Sequence, residues 1–190
     1  MSAAFALLSV GLLLIFWALG AYNRLVRLRS QVARNLQILG LQWRSHVTLL
    51  SQRLDHFAQG TESESQWAIL GEDALRWRPL TLSARQFLAC LSIIEMSPKA
   101  MASLDDVSAV RAAHDIFESH WRRLQIAQDD LAGAPVPSDL QILWAQHEPA
   151  AHEKLKDYNA AVQAYHQAIG QFPAMMLAWL FGFEMTGELA

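Results

Sequence analysis

The chain has 190 residues, of which 53% are hydrophobic, and a formal net charge of −3 at pH 7. This length suits a single domain, and the one cysteine, Cys90, excludes an internal disulfide and a zinc site built from several cysteines. Residues 1–60 carry six arginines against one acidic residue, whereas residues 61–190 carry nine basic and seventeen acidic residues. Because the larger part is acidic, nucleic acid is not expected as a partner.

An uncharged apolar run opens the chain. It covers residues 3–19 and leads into the basic stretch Tyr22–Arg29. At about 1.5 Å per residue, a helix of this length spans about 25 Å, and the two small residues that follow extend it towards the ~30 Å of a hydrocarbon core. The pattern predicts a transmembrane anchor over residues 1–21. A cleaved signal peptide is the alternative, although no basic side chain precedes the run.

The residues around the end of this run indicate how the anchor sits in a bilayer. Aromatic side chains favour the membrane–water boundary, and juxtamembrane arginines attract anionic headgroups by about 1 kcal/mol each. The expected membrane interface is therefore formed by Trp17, Tyr22, Arg24, Arg27 and Arg29. Because arginines follow the run and none precedes it, the positive-inside rule predicts a single-pass protein with its C-terminal domain in the cytoplasm. The alternative is an inverted topology with a periplasmic domain.

Helical periodicity continues directly after the anchor. Over Tyr22–Phe57 apolar residues recur every three or four positions without a proline, which predicts one long helix that continues the membrane helix. A shorter helix is expected over Trp67–Trp77, with Pro79 ending or kinking it, and another over Ser83–Met96.

Two further helices follow. Ser103 and Asp106 form an S-x-x-D arrangement, typical of a helix start, ahead of a helix expected over Leu104–Leu131. A last long helix is expected over Leu140–Gln171, with a bend or a new first turn at Pro149.

Together these elements predict an all-α fold. Four helical stretches without a convincing strand favour an antiparallel bundle of about four helices over residues 22–173, standing on the transmembrane helix. Residues 174–190 are predicted to form an apolar tail that must dock on the bundle, the bilayer or a partner.

Two compound motifs lie at the ends of the predicted bundle. Tyr22–Arg29 places a tyrosine-asparagine pair before a Leu-Val-x-Leu-Arg segment, and Tyr158–Val162 reads Y-N-x-x-V, followed by Phe172-Pro173 and then by F-G-F at Phe181–Phe183. In order and spacing these motifs resemble the LemA family, of which the chain looks like a divergent member. The segment Gly40–Ser51 lacks the acidic and proline positions that usually follow the first motif. The resemblance implies a bacterial, membrane-anchored, mainly antiparallel helical bundle with no established catalytic residues.

Histidines and catalytic motifs give little support for an active site. His147 and His152 superficially resemble a zinc-binding H-E-x-x-H motif, but five residues on a helix turn about 140°, and Pro149 lies between them. His114, within an apolar stripe, is expected to fix helix register, with a proton-linked switch as the alternative. No G-x-S-x-G elbow or glycine-rich phosphate loop occurs, and no catalytic residue, metal or cofactor is expected.

The chain contains seven tryptophans, and several of them lie outside the clearest apolar stripes. Trp43 and Trp121 fall on the stripes and are expected in the core. The possible partner surface comprises Trp67, Trp77, Trp144 and Trp179.

The sequence predicts location better than activity. The leading hypothesis is an interaction or scaffold protein of the cytoplasmic membrane, held at anionic lipid and binding a protein partner or itself. A membrane-tethered, metal-dependent hydrolase is one alternative, motivated by the segment His147–His152. A periplasmic binding module is the other, if the topology is inverted.

Overall fold

The computed structural model describes residues 2–59, 67–96, 103–126 and 136–189, and within these ranges it contains five helices and no strand. The helices are α1 (Ser2–Gln59), α2 (Trp67–Met96), α3 (Leu104–Ile126), α4 (Ser138–Gly170) and α5 (Ala174–Phe181). The predicted all-α bundle is confirmed. The expected end of the third helix near Leu131 lies outside the described residues.

The longest helix, α1, joins the apolar N-terminal run to the bundle without a break, as predicted. Side chains over residues 7–17 are almost all exposed, whereas from Leu25 onward one side of the helix is buried. The buried positions are spaced mostly by three and four residues, which keeps them on one face of an α-helix. Those with apolar side chains are Leu25, Val32, Leu36, Leu39, Trp43, Val47, Leu50 and Leu54.

The most extensive helix pairing in the bundle joins α1 to α4, which run antiparallel. Asn35 on α1 donates a hydrogen bond to the carbonyl of Asp157 (3.0 Å), and further along α1 the ring of His46 stacks on His147, which precedes Asp157 in α4. α2 packs against both α1 and α3, with the ring of Phe87 at its centre.

Neither Pro79 nor Pro149 divides a helix, so of the predicted alternatives a helix end at Pro79 and a new first turn at Pro149 are wrong. α2 continues through Pro79, so the two expected pieces form one helix, and α4 continues through Pro149. A proline inside a helix costs about 3 kcal/mol because it removes one backbone hydrogen bond and crowds the preceding turn. Fully buried Leu80 and Ala84, just after Pro79, pack in the core and offset that cost.

The predicted start of α3 is confirmed in atomic detail. The Ser103 hydroxyl accepts a hydrogen bond from the Asp106 backbone N–H (3.1 Å), and the Asp106 carboxylate accepts from both the backbone N–H and the hydroxyl of Ser103 (3.2 and 2.7 Å). This reciprocal capping box satisfies backbone donors that a helix start otherwise leaves free.

Candidate membrane interface and interhelical cavity

The N-terminal part of α1 is long and apolar enough to cross a membrane, and it is the one helix among the described residues that meets this test. Its large apolar side chains have no protein cover: Phe5, Leu8, Leu13 and Phe16 are each more than half exposed. Trp17, expected at the interface, lies near the end of this surface.

Aromatic contacts hold α5 beside this end of α1. The ring of Trp17 lies 5.6 Å from that of Phe172, and the ring of Tyr22 lies 5.0 Å from Phe181 and 5.9 Å from Phe183. Tilted and edge-on arrangements at these distances are favourable for aromatic pairs. The closing F-P and F-G-F motifs therefore contact the aromatic residues that mark the end of the apolar run.

The turn after α5 depends on a glycine. Gly182 has φ 65° and ψ 41°, in the left-handed region that favours glycine, and the N–H of Phe183 donates to the carbonyl of Ala178 (2.9 Å). This geometry turns the chain back, so that the Phe183 ring lies under the Arg29 guanidinium (5.7 Å from ring centroid to Cζ).

Basic side chains and a cavity lie next to this aromatic cluster. Arg24 and Arg27 are exposed, and Arg29 is half-buried. A cavity of about 380 Å³ between α1 and α5 is lined by Tyr22, Arg29 and other residues, including Ser30 and Phe181. All five residues predicted for the membrane interface thus fall within one short stretch of α1.

Most of the α5 surface that faces away from the bundle is apolar. Only Ala174 and Ala178 of this helix are buried, and Trp179 is 86% exposed. The other exposed apolar side chains of α5 are Met175, Met176, Leu180 and Phe181.

The tryptophans proposed as a partner surface do not share one face. Trp144 is buried inside the bundle, so it is not available on an outer surface, and Trp77 is half-buried against the core. Trp179 is exposed on α5, whereas the side chain of Trp67 lies outside the described part of the chain. Trp43 and Trp121 are buried, as the stripes predict.

A strap formed by residues 183–189 runs back along α4. The Tyr158 hydroxyl donates to the carbonyl of Gly187 (2.7 Å), and the Tyr165 hydroxyl donates to the carbonyl of Glu184 (3.0 Å). Burial raises the pKa of Tyr158 to about 12, so that its hydroxyl stays protonated even well above neutral pH.

Asn159 fixes the end of the strap. Its Oδ1 accepts from the backbone N–H of Leu189 (2.9 Å), and its Nδ2 donates to the carbonyl of the same residue. The side chains of Leu189 and Thr186 are buried, and the Thr186 N–H donates to His166 Nε2 (3.3 Å). The Y-N-x-x-V motif thus binds the C-terminal strap, a role that sequence reasoning missed.

A cavity lies between α3 and α4, apart from the membrane-interface residues. No Cα atom of α3 lies within 8 Å of a Cα atom of α4, and aromatic rings bridge the gap instead. Trp121 stacks on Trp144 with 4.5 Å between ring centroids and 13° between planes, and Phe117 lies 5.7 Å from Trp144. Such large rings hold the two helices apart and leave space beside them.

This space is a partly open cavity of about 360 Å³. Its apolar wall includes Trp43, Val47, Phe87, Phe117, Trp144 and Leu155, and its polar lining includes His46, His114, Asp115, Glu118, Arg122, Glu148 and His152. The Arg122 guanidinium pairs with the Glu118 carboxylate at 2.6 Å.

Burial lowers the pKa of two histidines that line this cavity. Burial, followed by the neighbouring His147 and His114, lowers the pKa of His46 to about 4. Burial also lowers the pKa of His114, opposed by Glu118 and Asp115, and its ring stacks on Trp43 at 4.7 Å. The sequence singled out His114 but missed His46, although His46 lies three residues after Trp43 on the buried face.

Other residues that could ligate a metal include His147, His152 and Cys90. Among the described residues no group of three or more histidine, cysteine or acidic side chains is arranged to hold a metal ion. His152 is exposed, whereas His147 stacks on His46, and Cys90 is half-buried against the core.

No family model, curated protein or solved structure matches the chain.

Proposed function

We propose that the chain is a single-pass, membrane-anchored helical bundle that acts as an interaction or scaffold protein at the bacterial cytoplasmic membrane, with its bundle in the cytoplasm. One observation carries this proposal: α1 exposes apolar side chains in its N-terminal part and buries a regular stripe from Leu25 onward, without a break between them. A lipid-facing segment and a bundle-facing segment of one rigid helix hold the domain directly above its anchor.

The bilayer is also proposed as the partner of α5. Its exposed apolar side chains adjoin Trp17 and Tyr22, at the level where an interfacial aromatic belt is expected. Lipid that covers these side chains removes an apolar patch from water. This burial stabilises the contact by about 25 cal/mol per Å² of apolar surface. α5 then lies in the headgroup region as an interfacial helix and fixes the tilt of the bundle.

Arginines support the lipid contact and the orientation. Arg24 and Arg27 are exposed next to this belt, where each attracts an anionic headgroup by about 1 kcal/mol. Their position after the apolar run favours a cytoplasmic bundle. A non-catalytic role is consistent with the motifs at both ends of the bundle, which resemble those of the LemA family and serve to pack α5 and the strap.

In-cell crosslinking of the native-level protein, followed by purification in mild detergent, tests the scaffold role. We expect a second copy or a stoichiometric protein partner to be crosslinked to the bundle. A monomer without an enriched partner would contradict the proposal. An alkaline phosphatase fusion after Ala190 tests the orientation separately, because activity there would show that the bundle is outside the cytoplasm.

A fluorescent probe on α5 tests its contact with lipid. With Cys90→Ala as background, an environment-sensitive probe is attached at Trp179→Cys in the full chain, reconstituted in phosphatidylglycerol-containing vesicles. We expect blue-shifted emission that a lipid-borne quencher reduces several-fold. Ser138→Cys is the matched control, since it is exposed at the opposite end of α4 and should emit as in water. Equal emission at both positions would show that α5 does not enter the bilayer.

A further inference from the structure

The cavity between α1 and α5 is electrostatically suited to an anion. Its volume of about 380 Å³ falls within the range of about 300–1,000 Å³ that small-molecule sites occupy. Among the described residues its lining contains one basic side chain and no acidic one, so the local potential is positive. The lining includes Tyr22, Val26, Arg29, Ser30, Phe181 and Phe183.

Arg29 is half-buried in this cavity with its donors available. The Phe183 ring lies under its guanidinium, 5.7 Å from ring centroid to Cζ, but offers no acceptor to the N–H groups. The guanidinium forms no hydrogen bond or ion pair with a described residue. Glu184, which follows Phe183, is exposed and does not line the cavity. A planar guanidinium with free donors favours a phosphate group, which accepts two parallel hydrogen bonds from it.

Tyr22 supplies a second donor to the same cavity. Its hydroxyl makes no hydrogen bond to a described residue, while its ring is held by Phe181 and Phe183. The Ser30 hydroxyl is not equivalent, because it already donates to the carbonyl of Val26 (2.8 Å). Tyr22 and Arg29 are seven residues apart, so they lie on one face of α1, two turns from each other.

The order of these groups along α1 matches a phospholipid better than a free phosphate. Side chains over residues 7–17 are almost all exposed, then follows Tyr22, and Arg29 lies about 10 Å further along the helix axis. A phospholipid beside a membrane helix presents its acyl chains, its ester carbonyls and its phosphate in the same order. A free phosphate would use Arg29 alone.

We propose that this cavity binds one anionic phospholipid, with its phosphate on the Arg29 guanidinium and an ester carbonyl on the Tyr22 hydroxyl. The acyl chains then lie along the exposed apolar part of α1, and the headgroup lies between α1 and α5. Such a lipid occupies a discrete site, unlike the headgroups that exposed Arg24 and Arg27 attract without a cavity. The site rests on the proposed membrane anchor and adds to it a selective lipid partner.

Native mass spectrometry of the delipidated full chain in a non-ionic detergent tests the proposal. The probes are dioleoyl phosphatidylglycerol, dioleoyl phosphatidylcholine with the same acyl chains, and soluble glycerol 3-phosphate. We expect one phosphatidylglycerol per chain, bound roughly fivefold or more tightly than phosphatidylcholine, because choline is repelled by the arginines. Equal affinity for the two lipids would overturn the proposal. Glycerol 3-phosphate that binds as tightly as phosphatidylglycerol would also overturn it, because the site would then serve a free phosphate.

Variants of Arg29 test the phosphate contact. Arg29→Gln should weaken phosphatidylglycerol binding about tenfold, and Arg29→Lys should weaken it about threefold, because lysine keeps the charge but not the fork of donors. Arg34→Gln is the matched control: it removes the same charge from an exposed position of α1 outside the cavity lining. Near-ultraviolet circular dichroism confirms that each variant is folded. Equal binding to folded Arg29→Gln and Arg34→Gln would contradict the assigned site.

Two further variants distinguish a discrete site from diffuse attraction. Tyr22→Phe keeps the aromatic ring and should weaken phosphatidylglycerol binding about threefold through loss of the hydroxyl donor. Arg27→Gln removes an exposed charge outside the cavity lining and should weaken binding less than Arg29→Gln does. An equal loss at Arg27 and Arg29, or no loss from Tyr22→Phe, would show that surface charge alone attracts the lipid.

Flotation with phosphatidylcholine vesicles tests the anchor separately. The original chain and Arg29→Gln should both float, because insertion depends on the apolar run of α1 rather than on Arg29. A chain that does not float would overturn the anchor and the lipid site together. A chain that floats but shows no selective binding of phosphatidylglycerol would overturn the lipid site alone.

Discussion

Replacing Leu189 by alanine is expected to lower the free energy of unfolding by about 3 kcal/mol. Its side chain is 1% exposed and belongs to the core, and both its backbone N–H and its carbonyl are hydrogen-bonded to the side chain of Asn159. Removing three buried carbon atoms loses the transfer free energy of the side chain and leaves a cavity beneath the strap. Urea unfolding of the full chain in mild detergent, followed by near-ultraviolet circular dichroism, measures the change.

Met185 provides the matched control in the same strap. It is apolar like Leu189 but 61% exposed, so Met185→Ala should change the free energy of unfolding by less than about 0.5 kcal/mol. If Leu189→Ala were as mild as this control, the strap would not be part of the folded core. Gly187 allows the strap to pass close to α3, since a Cβ atom there would lie 3.1 Å from Val107 Cγ1.

The stripes of α1 and α3 can be predicted from the sequence because their physical cause is local. Apolar residues at intervals of three and four fall on one face of any α-helix, and Trp43, Phe117 and Trp121 occupy the buried face that this rule assigns to them. The capping box at Ser103 is equally local, because its three hydrogen bonds join residues only three positions apart.

Features that depend on distant residues cannot be predicted in this way. A proline predicts a helix end from its own backbone chemistry, but Pro79 stays within α2 because the residues around it pack against other helices. The Y-N pair at Tyr158 can be recognised as a motif, yet its role depends on a strap that returns 29 residues later. This return requires the left-handed turn at Gly182, which the sequence alone does not connect with Tyr158.

The cavity between α3 and α4 is a second feature that depends on packing between residues far apart in the sequence. The sequence identifies Trp121 as a core residue and leaves Trp144 outside the clearest stripes, but the cavity arises because these two rings stack and hold α3 and α4 apart. His46 meets its polar neighbours only when α2, α3 and α4 pack around it. Its position on the buried face of α1 predicts burial but not which groups face it.

Acidification from pH 7.5 to pH 5 is expected to remove about 2 kcal/mol of stability through His46 alone. The imidazole has a pKa near 6.5 in the unfolded chain, whereas burial lowers its pKa to about 4 in the folded bundle. Above pH 6.5 both states hold the ring neutral, so its titration does not affect the free energy of unfolding. Between pH 6.5 and pH 4 the unfolded chain binds the additional proton, and stability therefore falls as the pH falls.

Other groups near His46 set the size of the total effect. His147 stacks on it, and His114 lies in the same cavity with its own pKa lowered by burial, so titration of His114 adds to the loss in the same direction. Urea unfolding at pH 7.5, 6.5, 5.5 and 5.0 in one detergent measures the slope, and the lower limit of pH 5 keeps most carboxylates ionised.

Two variants test whether His46 causes the dependence of the free energy of unfolding on pH. His46→Gln replaces the titrating ring by a neutral amide and should make stability about 2 kcal/mol less dependent on pH over this range, whatever its effect at pH 7.5. His152→Gln is the matched control, since His152 lines the same cavity but is exposed, and it should change the slope less than His46→Gln does. A slope that His46→Gln leaves unchanged would mean that the imidazole takes up its proton in the folded bundle as readily as in the unfolded chain.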